Sequence, residues 1–198
     1  MVTQTANDEI VTFGGGPARY ARATVAGGCF WCTEAIFKRL KGVKSVVPGY
    51  SGGKIENPSY EQVCSETTGH AEAIQIEFDP SEIAYQKLLA VFFYTHDPTT
   101  PNQQGNDVGP QYRSVVFYHD ERQKKEAENL VAKFERDKVY SRPIVTTIEQ
   151  FKNFYIAEDY HKNYFEKNKD APYCNYVIAP KLKKLLEKFG EEVKEEYK

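Results

Sequence analysis

Two cysteines spaced as C-x-x-C are the residues of this chain best suited to redox chemistry. Cys29 and Cys32 lie in the stretch GGCFWC, where a predicted strand ends and a predicted helix begins. A helix N-terminus presents unpaired N–H groups and about half a positive charge, which favours a thiolate over a thiol. We therefore expect Cys29 to be a nucleophile whose pKa lies below the value of about 8.5 that is ordinary for a free cysteine.

The same spacing also occurs in zinc sites, in thioredoxin-like redox pairs and in cysteines that are merely buried. A zinc site needs two more ligands, usually as a second paired motif, and only isolated cysteines and histidines remain in this chain. We therefore predict no metal. Direct thiol–disulfide exchange through Cys29 and Cys32 stays open as an alternative function, and so does a non-enzymatic binding module. Cys64 follows Val63 in what reads as a packed segment, so burial is its favoured interpretation.

Glu72 is a carboxylate on the apolar face of a predicted strand. The segment 71–78, AEAIQIEF, alternates with a period of two, so Glu72 shares a face with Ile74, Ile76 and Phe78. Burial there raises the pKa of a carboxyl group, and a neutral carboxylic acid can donate a proton. The alternative is that Glu72 lies at the end of the strand and meets solvent.

Further polar residues lie in two loops. The segment GNDVGPQYR brings Asp107 and Tyr112 to the start of a strand, and NPSY places Tyr60 in the loop before Cys64. Tyrosines more often simply pack with a solvated hydroxyl, so none of these residues indicates a site by itself.

Composition excludes several classes of protein. The 198 residues include 26 Lys+Arg and 28 Asp+Glu, a net charge of −2, which argues against a strongly basic nucleic-acid binder. Apolar runs stay far below the roughly 18 residues that a membrane span needs, and the first twenty residues do not resemble a secretory signal. Four unevenly spaced cysteines argue against a disulfide scaffold and favour a reducing compartment, the cytoplasm.

The elements that must position these residues follow a strand–helix–strand–strand–helix–strand order. Strands are predicted near 23–26, 43–47, 71–78 and 113–118, with another at 144–149. This order is typical of a ferredoxin-like split βαβ fold, a two-layer α/β sandwich of the α+β class. We expect residues 1–20 to be an N-terminal extension and residues 21–198 to form a single catalytic domain, with residues 168–198 as a C-terminal segment that includes a final helix.

Capping residues predict where the helices begin. The first helix is expected from Thr33, and Asp79 is expected to cap a second helix through a box with Glu82. Asp120, with Gln123 three residues further on, is expected to cap a third helix, which ends at about Asp137.

Several motifs in a fixed order resemble those of peptide methionine sulfoxide reductase A. They are GCFWC, GYSGG, NPSYEQVC, TGHAEA, a helix ending in HDP, QGNDVGPQYRS and AEDYH. The matches run from Gly28 to about His161, with weaker similarity as far as Pro180. The resemblance implies an α/β sandwich that reduces the S-epimer of methionine sulfoxide, free or in oxidised proteins.

The resemblance also implies a role for individual residues. Cys29 corresponds to the nucleophile, and Phe30 and Trp31 correspond to the apolar pocket for the methyl group of the substrate. The polar residues around the sulfoxide oxygen correspond to Tyr60, Glu72, Asp107 and Tyr112.

A second thiol must then resolve the sulfenic acid that forms on Cys29. The family pattern usually has Gly where this chain has Cys32, so two thiols compete for that role. Cys174, in a C-terminal segment containing Pro and Asn, is the preferred candidate because a mobile segment suits a thiol that must travel. Cys32 is the alternative. The expected reductant is thioredoxin, the expected state is a monomer, and no cofactor, nucleic acid or membrane is expected.

Overall fold

Strands that alternate with helices build one mixed sheet covered by helices. The structure is a computed structural model that describes residues 20–198, so residues 1–19 of the expected N-terminal extension lie outside the described residues. The strands are β1 (Ala21–Gly27), β2 (Val43–Ser51), β3 (Ala71–Phe78), β4 (Gln103–Gln104), β5 (Asp107–Val108), β6 (Ser114–Tyr118), β7 (Thr147–Gln150) and β8 (Tyr155–Ile156). The helices are α1 (Phe30–Lys38), α2 (Tyr60–Cys64), α3 (Tyr85–Thr95), α4 (Glu121–Arg136), α5 (Tyr164–Lys167) and α6 (Ala179–Phe189).

The sheet has the strand order β7-β6-β1-β3-β2-β8. Its four central strands, β6, β1, β3 and β2, pair antiparallel with one another, and β3 lies between β1 and β2. Together with α1 and α3 they form the predicted split βαβ arrangement, so the α+β sandwich is confirmed. β7 joins one edge parallel to β6, and β8 joins the other edge antiparallel to β2.

The two faces of the sheet carry different cores. Ile74, Ile76 and Phe78 lie on the face covered by the helices, within the larger hydrophobic core. Ala71 and Ala73 of the same strand face the other side, where Phe151 and Phe154 pack over a smaller cluster. This alternation confirms the period of two read from the sequence of β3.

One of the two predicted helix caps is wrong. Asp79 holds a tight turn instead, because its carboxylate accepts the backbone N–H of Ser81 at 3.0 Å, and α3 begins only at Tyr85. Glu82 forms an ion pair with Lys44, with Nζ and Oε1 2.7 Å apart, and does not take part in a capping box. The cap of α4 is confirmed, since Asp120 accepts the N–H of Gln123 at 2.8 Å.

β2 continues through Pro48 and Gly49, which the sequence indicated as a loop. These residues stay extended because the edge strand β8 pairs with them, and Ala157 N–H donates to the carbonyl of Pro48 at 3.0 Å. A side chain at Gly49 would meet the carbonyl of Tyr155 at 2.4 Å, so only glycine permits this pairing.

The segment around Cys174 is helical and packed, not loose as expected. Residues Cys174–Ile178 form a turn of π-helix that continues into α6. Cys174, Ile178 and Leu185 are fully buried against the rest of the core. The apolar side of α6 fixes this segment, because burying that stripe outweighs the turn-forming tendency of its Pro and Asn residues.

Candidate active site

Cys29 occupies the junction between β1 and α1. It is the residue before the first turn of α1, and its carbonyl accepts the N–H of Cys32 at 3.1 Å. Gly28 precedes it with φ +84°, and an added Cβ would lie 2.5 Å from Cγ of Gln104. The left-handed backbone and the close approach of Gln104 both require glycine at this position. This turn presents the Cys29 thiol to the first residues of β3.

Glu72 meets Cys29 inside the core. Its side chain is 1% exposed, accepts the N–H of Phe30 at 3.0 Å and is hydrogen-bonded by the Cys29 thiol. Burial raises the pKa of Glu72 to about 8, although these hydrogen bonds oppose the shift. The expectation of a buried carboxyl group with a raised pKa is therefore confirmed, and its alternative, a solvated strand end, is wrong.

The expected direction of the Cys29 pKa shift is wrong. Burial raises the pKa of the Cys29 thiol well above its ordinary value, with further contributions from Cys32 and the charge of Glu72. The partial charge of the helix N-terminus is smaller than the cost of placing an isolated thiolate in the core. The lower pKa belongs to Cys32, at about 7, because Cys29, Lys181 and Tyr173 all hydrogen-bond its sulfur.

Tyr60 and Tyr112 lie near the carboxyl group of Glu72 from two separate elements. Tyr60 is the first residue of α2, which Ser59 caps through a box with Gln62. Tyr112 closes the 3-10 turn Pro110–Tyr112 before β6. Burial and the nearby charge of Glu72 raise the pKa of both phenols, so both hydroxyls keep their protons and can donate.

Asp107 does not face the pocket as an unpaired carboxylate. Its Oδ2 accepts the hydroxyl of Tyr173 at 2.7 Å, and the same hydroxyl lies 3.8 Å from the sulfur of Cys32. Tyr173 also hydrogen-bonds Cys29, whose residue is only 6% exposed. Tyr173 therefore covers the thiol pair in this structure, and a ligand reaching Cys29 must displace it.

Phe30 and Trp31 supply apolar surface beside Cys29. The Phe30 ring lies within 6.5 Å of the Tyr60 ring, measured between centroids, and is completely buried. Trp31 is half-buried, and its indole stacks on Tyr164 at 3.6 Å with an interplanar angle of 4°. The indole and the Tyr173 ring pack edge to face, with their centroids 5.7 Å apart. These rings place apolar surface next to the hydroxyls of Tyr60 and Tyr173.

The two remaining cysteines occupy different surroundings. Cys174 is buried next to Cys32, close enough that a charge on Cys32 raises its pKa further, after burial itself. Cys64 is half-buried at the end of α2 and accepts a hydrogen bond from Tyr60, so it is not the packed core residue that the sequence indicated. All four cysteines are free thiols.

Reasoning from the sequence missed three residues that contact the expected site. Tyr173 covers the thiols, His161 accepts the indole N–H of Trp31 at 2.9 Å, and Glu158 accepts the N–H of Tyr60 at 2.8 Å. His161 and Glu158 both belong to the AEDYH motif, which could have indicated them. Tyr173 is recognisable only as the neighbour of Cys174.

The arrangement can transfer a proton to an acceptor held beside a thiol. It combines one neutral carboxylic acid, two phenol donors and a cysteine within hydrogen-bonding distance of that acid. Within residues 20–198, no group of three or more His, Cys, Asp or Glu side chains could hold a metal ion. In the same part of the chain, no helix has the length and apolar character to cross a membrane.

Comparisons with known proteins give a consistent result. The family model described as "Peptide methionine sulfoxide reductase" matches residues 21–193. A "Peptide methionine sulfoxide reductase MsrA" of Sulfolobus acidocaldarius is 59% identical over 167 residues, which cover 84% of this chain and 94% of that protein. The crystal structure of Mxr1 from Saccharomyces cerevisiae in reduced form superimposes with a TM-score of 0.75 at 36% identity, covering 80% of this chain and 91% of that one. The crystal structure of Mxr1 from Saccharomyces cerevisiae in complex with Trx2 superimposes with a TM-score of 0.54 at 26% identity, covering 77% of this chain and 90% of that one.

Proposed function

Because this chain belongs to the peptide methionine sulfoxide reductase family, we propose that Cys29 and Glu72 reduce the S-epimer of methionine sulfoxide, free or within oxidised proteins. Membership makes the chain an oxidoreductase that acts on methionine sulfoxide. The observation that carries the residue roles is the hydrogen bond between Cys29 and Glu72 at the start of α1. It joins a nucleophile to a proton source in a site closed to bulk water.

Internal proton transfer makes the Cys29 thiolate accessible despite its raised pKa. Once the pair has lost one proton, moving the thiol proton to the carboxylate of Glu72 gives a thiolate and a neutral acid with no further change in net charge. The burial cost that opposes ionisation of Cys29 alone therefore does not apply to the pair. Glu72, with a pKa of about 8, is suited to hold that proton at neutral pH.

The first half-reaction transfers oxygen from the substrate to Cys29. Glu72 donates its proton to the sulfoxide oxygen, and the hydroxyls of Tyr60 and Tyr112 donate hydrogen bonds to it, which makes the sulfur electrophilic. The Cys29 thiolate attacks that sulfur, so that an S–S bond forms while the S–O bond breaks and releases hydroxide. The hydroxide then attacks Sγ of Cys29 and the S–S bond breaks, which leaves Cys29 as a sulfenic acid. Methionine leaves as the sulfide, so one thiol is oxidised and one sulfoxide reduced.

The cluster of aromatic rings supports selection of a methyl sulfoxide. We define the sulfoxide pocket by Phe30, Trp31 and Tyr60; the rings of Trp31 and Tyr60 both pack near Phe30, which follows Cys29 in the chain. A methyl group desolvates easily against these rings, while the oxygen faces Glu72. Asp107 acts on this pocket through Tyr173, whose hydroxyl it holds.

Resolution requires a second thiol and releases water. Cys174 remains the proposed resolving thiol, with Cys32 as the alternative. Cys32 has the advantage of a hydrogen bond to Cys29 and a pKa of about 7, which keeps a large thiolate fraction. Cys174 lies beside Cys32 and can take over the disulfide from it, in which case both thiols act in series.

Thioredoxin is the proposed final reductant. Support comes from the similarity to Mxr1, whose structure is known in complex with Trx2. Exchange with an external dithiol returns the enzyme disulfide to thiols and needs no bound cofactor. The four free thiols support action in a reducing compartment, for which we propose the cytoplasm, with the protein acting as a monomer.

The experiment that tests the function supplies separated S and R forms of a methionine sulfoxide peptide. We expect methionine from the S form only, and one equivalent per enzyme before any reductant is added. Glu72→Gln removes the proton donor and should slow this burst by about 100-fold or more, the usual contribution of general acid catalysis. The competing function, disulfide exchange through Cys29 and Cys32, needs no Glu72, so equal loss in both assays would contradict the assigned role.

The resolving thiol is identified by replacing the other cysteines one at a time. Cys174→Ser should still give one equivalent of methionine but should stop turning over with thioredoxin, because no stable disulfide reaches the reductant. Cys64→Ser is the matched control and should keep steady turnover. Steady turnover in Cys174→Ser together with its loss in Cys32→Ser would move the role to Cys32, and loss in both would indicate two thiols in series.

A further inference from the structure

The only tryptophan in the chain is fixed by a buried histidine. Trp31 Nε1–H donates to Nδ1 of His161 at 2.9 Å. The stacking of Trp31 on Tyr164 restrains the plane of the indole, and the hydrogen bond restrains rotation within that plane. His161 itself is completely buried, with its ring 4.8 Å from Phe30 and 4.5 Å from Tyr60 between centroids.

The hydrogen bond assigns the tautomer of His161. Burial lowers the pKa of His161, so the ring is neutral at neutral pH. Because Nδ1 accepts from Trp31, the single ring proton must be on Nε2. Nε2 has no hydrogen-bond partner within residues 20–198, and the nearest anion is Oε2 of Glu158 at 3.8 Å. Attraction between this carboxylate and the Nε2 proton keeps Nδ1 free to accept.

Glu158 also fixes the opposite side of the sulfoxide pocket. Its Oε1 accepts the backbone N–H of Tyr60, and its Oε2 accepts the hydroxyl of Tyr50, both at 2.8 Å. Burial opposes the charge of Glu158, but the hydrogen bonds from Tyr60 and Tyr50 outweigh it and lower the pKa. One carboxylate therefore holds the start of α2 directly and Trp31 through His161.

We propose that Glu158 and His161 are positioning residues that set the separation between Trp31 and Tyr60, and thereby the affinity for a methyl sulfoxide. Neither residue touches the sulfoxide or Cys29. The identity of the ligand rests on the proposed function, whereas the effect on Trp31 does not. A cavity between fixed rings binds a small apolar group more tightly than one whose wall must be ordered on binding.

The test compares two replacements of His161 with a histidine elsewhere. His161→Leu removes the acceptor for Trp31, and His161→Gln restores an acceptor oxygen at a similar reach. His119→Leu is the matched control, because His119 is a partly buried histidine that likewise makes a hydrogen bond, to Thr24 at 2.9 Å. Two readouts are taken: KM and kcat for a methionine-S-sulfoxide peptide, and the time-resolved fluorescence anisotropy of Trp31.

We expect His161→Leu to raise KM about tenfold, the factor associated with one net hydrogen bond, with kcat changed far less. A fast anisotropy component should appear as the indole gains freedom, and His161→Gln should reverse most of both effects. His119→Leu should leave both unchanged. An unaltered KM and anisotropy in His161→Leu, or equal damage from His161→Gln, would overturn the proposal.

A second variant covers the case in which His161→Leu does not fold. Glu158→Gln keeps an acceptor oxygen but removes the charge that holds the proton on Nε2, so KM should rise and the fast anisotropy component should appear. An unchanged KM and anisotropy in Glu158→Gln would overturn the proposal. If the wild-type enzyme forms no methionine, the proposed function fails, and the anisotropy of the variants still decides the positioning role.

Discussion

Glu72 and Cys29 share a hydrogen bond in the core, so their protonation is a property of the pair. Each group has a raised pKa when considered alone, because burial opposes its charge. Once the pair has lost one proton, it carries one negative charge whether the remaining proton is on Cys29 or on Glu72. This is the simplest reason why a thiol that is difficult to ionise can still act as a nucleophile.

The raised pKa of Glu72 makes stability depend on pH. The pKa of Glu72 is near the ordinary 4.5 in the unfolded chain and about 8 in the folded protein. Between these two pH values the native state therefore keeps a proton that the unfolded state loses. The stabilising contribution is complete below pH 4.5 and is lost as the pH rises through 8. Glu72→Gln cannot ionise and should therefore unfold about 10 °C above wild type at pH 8.5, with no difference at pH 4.

The measurement is thermal unfolding of both proteins across this pH range. Glu77→Gln is the matched control, because Glu77 lies on the same strand, faces the other side and is only half-buried. It should follow the wild-type profile at every pH. A constant offset between Glu72→Gln and wild type from pH 4 to 8.5 would show that Glu72 keeps an ordinary pKa.

At the scale of elements, the site depends on the turn that joins β1 to α1. Gly28 lets the chain reverse within one residue, so that Cys29 faces Glu72 at the start of β3. Glu72 and Tyr50 are partners in the pairing of β3 with β2, which places the two side chains next to each other. The hydrogen-bond register of the sheet therefore determines which side chains surround the thiol.

Gly28→Ala should cost activity as well as stability. A positive φ in a residue with a Cβ costs about 1–2 kcal/mol, and here the added atom also meets Gln104. Gly105→Ala is the matched control, because Gly105 also has a positive φ of +62° but has nothing within 4 Å of an added Cβ. We expect both variants to lose unfolding free energy through the positive φ, and Gly28→Ala to lose more because its Cβ also meets Gln104.

The two variants should differ in the methionine burst. Only Gly28→Ala displaces Cys29, and a displacement of about 1 Å can cost 100-fold in rate. Urea denaturation and single-turnover assays measure the two effects separately. If both variants keep the wild-type burst rate, Cys29 is not positioned by this turn.

At the scale of the whole molecule, the C-terminus returns to the first helix and closes the layer of helices. Val193 is completely buried and forms an isolated bridge with Leu40. Two backbone hydrogen bonds accompany it, from Lys41 N–H to Glu192 at 2.7 Å and from Lys194 N–H to Arg39 at 2.9 Å. The chain beyond α6 therefore stabilises α1, which carries the thiols.

Ending the chain after Phe189 should destabilise the protein without removing the site. The loss of Val193 burial alone corresponds to about 1.5–3 kcal/mol, and the hydrogen bonds add to it. We expect a lower Tm, with the methionine burst retained at low temperature. A chain ending after Lys194 keeps the buried bridge and should lose much less. Equal Tm values for the two truncations would contradict the importance of this contact.

Local patterns predicted much of the fold and part of the site. Alternation in 71–78 predicted both β3 and the inward direction of Glu72, because side chains two residues apart in a strand lie on the same face as each other. Asp120 determined the start of α4, since a side-chain acceptor there satisfies the N–H of Gln123. The expected roles of Cys29, Glu72, Tyr60, Tyr112 and Asp107 came from motif resemblance and stay predictions until the variants are measured.

Only the tertiary structure decided the electrostatics and the cover of the site. The sequence shows that Cys29 precedes a helix, but complete burial reverses the sign of its pKa shift, and burial is a sum over distant segments. Tyr173 and His161 reach the thiols and Trp31 from more than 100 residues further along the chain. Hydrogen bonds between such distant residues depend on how the layers pack, so no local pattern encodes them, whereas periodicity and capping depend only on neighbours in the chain.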